Sequence, residues 1–260
     1  MFKILRYSFY DLMRSRWTYF YFGFFLLFTL ALLFLSSDLG KVIISLMNVI
    51  LVLVPLIATM FGIMFYYNSR EFTELLLAQP LSRTQLFLGQ YLGLALSLSA
   101  SLLLGVGLPF LFYGIFFSAE IGNFIVLLLN GVLLSFIFSG MAFWIALRNE
   151  NRIKGFGLAI MMWLFFAVIY DGIFLLLLMW FSDYPLEYVS LGASLLNPVD
   201  LSRILILLKL DISALMGYTG AVFEKFLGTG LGIALSFLSL GFWILLPTAN
   251  IRRVAMTKDF

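Results

Sequence analysis

No cysteine and no histidine occur anywhere in the 260 residues. Their absence rules out disulfides, Cys/His metal sites and every histidine-dependent acid–base scheme. It also removes the His-Glu-x-x-His zinc proteases and intramembrane enzymes built on a His–Ser pair. Charge is scarce too: Asp, Glu, Lys and Arg make up only 11% of the chain, against about 25% in soluble domains. The phosphate loop G-x-x-x-x-G-K-[ST] is missing as well, so any ATP chemistry has to come from another chain.

What the chain does have is apolar surface. Hydrophobic residues make up 63% of it, more than a soluble core can hide, so lipid is the expected solvent for much of the molecule. Six apolar runs are long enough to cross a bilayer: 17–35, 42–67, 86–117, 121–147, 155–181 and 226–247. Six crossings put both termini on one side. Twelve of the sixteen Lys and Arg residues fall on that side, leaving Lys41, Arg203, Lys209 and Lys225 on the other. By the positive-inside rule both termini are cytoplasmic. The net charge of +3 carries no nucleic-acid signature, because placement of the cations matters here rather than their sum. The first run is too long for a signal-peptide core and no A-x-A-like site follows it, so it is expected to stay as an anchor.

The expected fold class is therefore an all-α integral membrane protein with six transmembrane helices, a single domain over 1–260. Phe2, Leu5, Phe9 and Leu12 recur at helical spacing ahead of the first run, with Lys3, Arg6 and Arg14 able to reach headgroups. This predicts an amphipathic helix over 1–16 on the cytoplasmic membrane surface; a plain extension of the first span is the alternative. The third run, 32 residues, is about 48 Å long as a helix, far beyond a core of about 30 Å. Tilt, protrusion or a kink at Pro109 must absorb the excess. Ser97, Ser101 and Gly105 form a stripe of small residues along it, suited to close helix packing.

Most connections on the side away from the termini are short. The last one is not: 182–225 carries five acids, Asp183, Glu187, Asp200, Asp211 and Glu224. Asp200 is expected to N-cap a helix running to Leu210, with Leu201, Ile204, Leu205 and Leu208 on one face and Arg203 on the other. The segment is expected to form a small extracytoplasmic helical cap. Asp171 is the one acid inside a span, a costly placement. It either pairs across a dimer interface or lines a cavity, or else stays neutral or bonds Tyr170 or a neighbouring hydroxyl. Met60 with Met64, and Met161 with Met162, offer thioethers of the kind that bind Cu(I). With no His or Cys to complete a site they are expected to be packing residues, and no metal site is assigned.

The most informative stretch lies between the second and third runs. Glu71 and Glu74 sit three apart on a short helix ending before Pro80, Leu75 to Leu77 add an apolar side, and Arg83 follows the proline. A short charged helix with a greasy side, held at the membrane face, suits the groove of a cytosolic partner and could pass rigid-body motion into the spans. A solvated loop with interfacial leucines fits the same spacing. The second inner loop, 148–154, offers Asn151, Arg152 and Lys154 as further contacts or as plain positive-inside anchors.

The run E-F-T-E-L-L-L-A-Q-P-L-S-R-T-Q-L-F-L-G-Q, Glu71 to Gln90, resembles the coupling segment of type 2 ABC exporter permeases. The glycine of that family's common E-x-x-x-G-T-x-E form is absent. The resemblance implies the fold of that family's transmembrane domain, and a surface of Glu71, Phe72, Glu74, Leu75, Pro80 and Arg83 meeting a separate ATPase subunit. Leu196-Asn197-Pro198-Val199-Asp200-Leu201-Ser202-Arg203, the Tyr170-Asp171 pair and a basic C-terminal tail resemble, more narrowly, the NosY-like permeases that serve nitrous oxide reductase maturation. That likeness implies a homodimer in the bacterial inner membrane, two cytosolic ATPase subunits carrying ATP and magnesium, and a periplasmic β-helical partner. Asn197, Pro198, Asp200 and Arg203 would touch that partner, and the process served would be assembly of the reductase's copper site. This chain itself would be a non-catalytic subunit that binds no cofactor. An exporter permease for a small or lipid-like molecule is the alternative, using the same inner surface.

Overall fold

The structure is a computed structural model and describes residues 1–36, 38–79, 81–181, 187–210, 226, 228 and 230–257. Among these residues every regular element is helical. In chain order they are α1 (Phe2–Met13), α2 (Arg16–Leu35), α3 (Leu39–Asn68), α4 (Arg70–Leu77), α5 (Arg83–Phe112) and α6 (Ile121–Arg148). After them come α7 (Arg152–Leu164), α8 (Tyr170–Trp180), α9 (Glu187–Leu195), α10 (Pro198–Lys209) and α11 (Gly230–Thr257). A π-helical turn, Phe165–Ile169, joins α7 to α8 as one long rod. Among the described residues six helices are long and apolar enough to cross a membrane: α2, α3, α5, α6, the α7–α8 rod and α11. Each overlaps one of the six apolar runs, the last continuing past the expected end at Pro247 to Thr257.

Side chains explain where the helices begin and how closely they pack. Asp38 N-caps α3, its carboxylate accepting from the Gly40 and Lys41 amides at 3.0 and 3.4 Å. Asn151 caps α7 in the same way, accepting from Ile153 and Lys154 at 2.9 and 3.2 Å. The most extensive pairing among the described residues is α3 on α6. A Cβ on Gly62 would lie 2.8 Å from the Ala142 Cβ and 2.9 Å from the Ser139 carbonyl, so only glycine lets those backbones approach. The small stripe of α5 serves the same end. Ser97, Ser101 and Gly105 are all buried, and α2 crosses at Gly105 beside Phe22 and Phe25.

Other expectations change. The third run is not a single helix through Phe117. Helix α5 starts at Arg83 and closes at Phe112, because Gly114 turns left-handed at φ 77° and a short 3-10 turn, Ile115–Phe117, follows. Pro109 sits in the last turn of α5, where the Tyr113 amide still bonds its carbonyl at 3.1 Å.

The amphipathic helix expected over 1–16 forms as α1, Phe2–Met13. It is separated from α2 at Arg14 and Ser15 and lies lengthwise along the first half of α5, burying Ser8 and Leu12 while Phe2 is 80% exposed. Gly93 makes the approach possible, since a Cβ there would lie 2.7 Å from the Ser8 Cβ and 2.8 Å from the Leu5 carbonyl. The break makes α1 a helix of its own rather than an extension of the first span.

A further change concerns α10. Asn197, not Asp200, is its N-cap, accepting from the Val199 amide at 3.0 Å. The helix does not have one apolar face. All of its residues except Asp200, Arg203 and Lys209 are buried, packed among α3, α6 and α11. Helix α9 meets it at a bend of 112°, and α10 itself lies inside the bundle. The physical reason is composition: seven Leu, Ile or Val side chains in twelve residues find more apolar contact inside the bundle than on top of it. Residues 182–186 and 211–225, and with them Asp183, Asp211, Glu224 and Lys225, lie outside the described residues.

Candidate coupling surface and buried charge cluster

At the arginine-rich end, α4 is fastened from three directions. The Thr73 hydroxyl donates back to the Ser69 carbonyl at 2.8 Å and accepts from Gln90 Nε2 of α5 at 2.8 Å. The Phe72 ring stacks on Tyr7 of α1, centroids 5.3 Å apart and planes inclined by 29°. Ser69 bonds the Phe65 carbonyl at 2.7 Å, tying the start of α4 to the last turn of α3. A helix of eight residues is too short to persist alone in water. These tethers to α1, α3 and α5 hold it.

Its remaining face is open. Arg70 and Glu74 form an exposed i,i+4 pair at 2.9 Å, and that hydrogen bond is the main cause raising the Arg70 pKa above its ordinary value. Glu71 is exposed, and Leu75 is 70% exposed despite being aliphatic. Arg83 is exposed at the start of α5. Pro80 lies outside the described residues. Phe72 is only partly available, since it is committed to Tyr7.

The expected 148–154 loop is the end of α6, a turn at 149–151 and the first turn of α7, and it is joined to the same end through Tyr67. Its hydroxyl lies 2.7 Å from the Asn149 carbonyl and 3.2 Å from that of Asn151. Tyr67 is two residues ahead of the α4 cap, so the loop and α4 hang from one turn of α3. Arg152 and Lys154 are exposed, Arg152 lying 5.8 Å over the Phe156 ring. Ile153 between them is 84% exposed. Ile153 escapes a reading based on charge, although an isoleucine between two cations in a loop is itself a signal. Beneath both segments a buried cluster including Tyr66, Phe87, Tyr91, Phe143 and Ile251 joins α3, α5, α6 and α11. Force applied to α4 therefore enters a packed core that responds as a unit.

The other candidate residues meet near the far half of the bundle. Arg203 Nη1 reaches Asp171 Oδ2 of α8 at 2.7 Å and Asp200 Oδ1 at 3.2 Å. Asp171 thus has a partner that none of the sequence-based alternatives named, a cation 32 residues away in the same chain. Side-chain exposures of 31% for Arg203, 27% for Asp171 and 13% for Asp200 make the cluster largely enclosed. Tyr170 donates to the Ala193 carbonyl at 2.6 Å, and Asn197 Nδ2 to the Phe166 carbonyl at 2.9 Å. Trp243 of α11 donates to the Leu195 carbonyl at 3.1 Å. Asn197 is fully buried and Pro198 is buried. Of the four residues expected on an outer surface, Asn197 and Arg203 tie α10 to the α7–α8 rod, Asp200 braces Arg203, and Pro198 is buried. Helix α8 opens directly after the π turn, which places Tyr170 and Asp171 toward α9 and α10.

No family model matches the chain. It is 28% identical over 220 residues to the probable ABC transporter permease protein NosY of Stutzerimonas stutzeri, covering 82% of this chain and 73% of that one. To the protein of the same name in Pseudomonas aeruginosa it is 29% identical over 180 residues, 66% of either chain. Taken with the six membrane-length helices, these similarities support a NosY-like permease, a multi-pass membrane protein.

Proposed function

We propose that this permease converts ATP hydrolysis by a separate cytosolic subunit into movement at its periplasmic end, serving copper-site maturation of nitrous oxide reductase. The observation that carries the reading is α4: an exposed, charged helix with a bare leucine, fastened to α1, α3 and α5. Such an element is stiff enough to transmit a push and open enough to receive a partner. The 148–154 loop, suspended from the same turn of α3, widens the docking surface with Asn151, Arg152, Ile153 and Lys154. Both segments face the cytosol in this reading, with both termini, in the bacterial inner membrane. ATP and magnesium sit in the partner ATPase, and the permease supplies no catalytic group.

A second copy of the chain completes the unit. The α7–α8 rod supports this, because only 6% of its apolar window is buried within one chain, leaving a long face for a partner copy and lipid. Across the membrane, the Arg203 cluster couples that rod to α9 and α10, so motion of the rod moves the elements nearest the periplasm. A β-helical periplasmic protein is the partner that would read this motion.

Glu71→Lys is the direct test, since Glu71 has no ion pair among the described residues whereas Glu74 is committed to Arg70. In the reconstituted complex with its ATPase, the substitution should leave membrane insertion intact and abolish the permease's effect on ATP turnover and on reductase maturation. Normal maturation in the Glu71→Lys, Glu74→Lys double variant would remove α4 from the docking role.

A further inference from the structure

A cavity of about 510 Å³ opens between α1, α3, α4 and α5 at the arginine-rich end, within the range of sites that hold small ligands. Its lining is divided by chemistry. Phe61, Met64 and Phe65 of α3 give an apolar wall, Tyr7 and Trp17 give aromatic edges, and Asp11 in the last turn of α1 and Arg14 just past its end bring opposite charges. Neither charge has an ion-pair partner among the described residues, although they lie three residues apart. Gln90 also lines the cavity. It is 2% exposed and its Nε2 is used by Thr73, yet its Oε1 has no hydrogen-bond partner. A buried acceptor left unpaired is costly, and a donor entering the cavity would relieve it.

We infer that this cavity binds the headgroup of an aminophospholipid, with the phosphate at Arg14, the primary ammonium between Asp11 and Gln90 Oε1, and acyl chain along Phe61 and Met64. The side-by-side anion and cation call for a zwitterion, and the apolar wall calls for hydrocarbon. The unpaired acceptor selects among zwitterions: a primary ammonium carries three N–H donors, whereas a trimethylammonium carries none. Tyr and Trp at the rim suit headgroup depth. The inference rests on the arginine-rich end lying at the cytosolic headgroups. Because Phe72 and Leu76 of α4 line the same cavity, a bound lipid would brace the docking helix from beneath.

The test is lipid retention by the purified full-length chain. Delipidated protein is offered phosphatidylethanolamine, phosphatidylcholine or phosphatidylglycerol, and bound lipid is counted by native mass spectrometry. Phosphatidylethanolamine should be retained about tenfold better than the other two, the order expected from one charge-assisted hydrogen bond. Asp11→Asn should lose that preference and Arg14→Gln should lower retention of all three lipids, while Arg6→Gln, on α1 but away from the cavity, should change neither. Equal retention of phosphatidylcholine, or wild-type retention in both cavity variants, would overturn the assignment. Should the variants fail to fold, the headgroup ranking in the unaltered chain decides alone. The readout needs no ATPase, so it stands or falls separately from the docking surface.

Discussion

Replacing Arg203 with Met removes the single cation that two carboxylates share and leaves the bulk of the side chain in place. Asp171 and Asp200 then face each other without a counter-charge in a site where the three side chains are 13–31% exposed. Breaking a fully buried pair costs about 3–5 kcal/mol; partial exposure here cuts that to about 2 kcal/mol. For a chain of this size, about 2–4 °C accompanies each kcal/mol, so Tm should fall by about 4–8 °C. Intrinsic fluorescence during thermal unfolding of the detergent-solubilised chain measures this directly. The triple variant Asp171→Asn, Asp200→Asn, Arg203→Met carries no charge to strand, and most of the lost stability should return. If Arg203→Met alone melts within about 1 °C of the unaltered chain, the cluster does not hold α10 to the rod. If the triple variant is no better than the single one, unpaired charge is not the cause.

The α1–α5 contact and the exposed isoleucine give two more tests. Gly93→Val places a branched side chain where a Cβ alone would already lie 2.7 Å from Ser8; it should detach α1, exposing Leu12 to limited proteolysis, while α3 and α6 keep their packing. An unchanged digest would show that α1 does not need that close approach. Ile153→Asp should weaken ATPase co-purification about tenfold, the size expected from losing one well-placed apolar contact of about 1.4 kcal/mol. Full recovery of the ATPase would take the 148–154 loop out of the interface.

Much of the fold is legible because lipid imposes a simple demand: a helix must be apolar for about twenty residues to span the core. That rule alone locates all six long helices, though the last runs ten residues beyond its expected end, and the charges of α4 stand out against such a background. Helix α10 shows where the rule stops. Asp200 and Arg203 look like the wet side of a surface helix, since a short sequence window contains no counter-charge except each other. The decisive partner, Asp171, comes from another element, and nothing in local spacing announces it. The lengthwise seat of α1 is hidden for a similar reason. It depends on Gly93 of α5, a residue whose role appears only when another backbone lies against it. At the coupling surface the exposed charges were readable from α4 itself. Tyr7, Tyr67, Thr73 and Gln90, which fasten it, act through contacts between separate elements and carry no periodic signal.

The sidedness and occupancy of α4 can be read in one measurement, helped by a chain that contains no cysteine. Leu75→Cys introduces a lone thiol on the open face of α4, to be labelled with a membrane-impermeant maleimide in sealed inside-out and right-side-out vesicles. Labelling should occur only when the cytosolic face is outward, and should be lost when the ATPase subunit is bound. Labelling from the periplasmic face, or full labelling in the presence of bound ATPase, would contradict the account at its base.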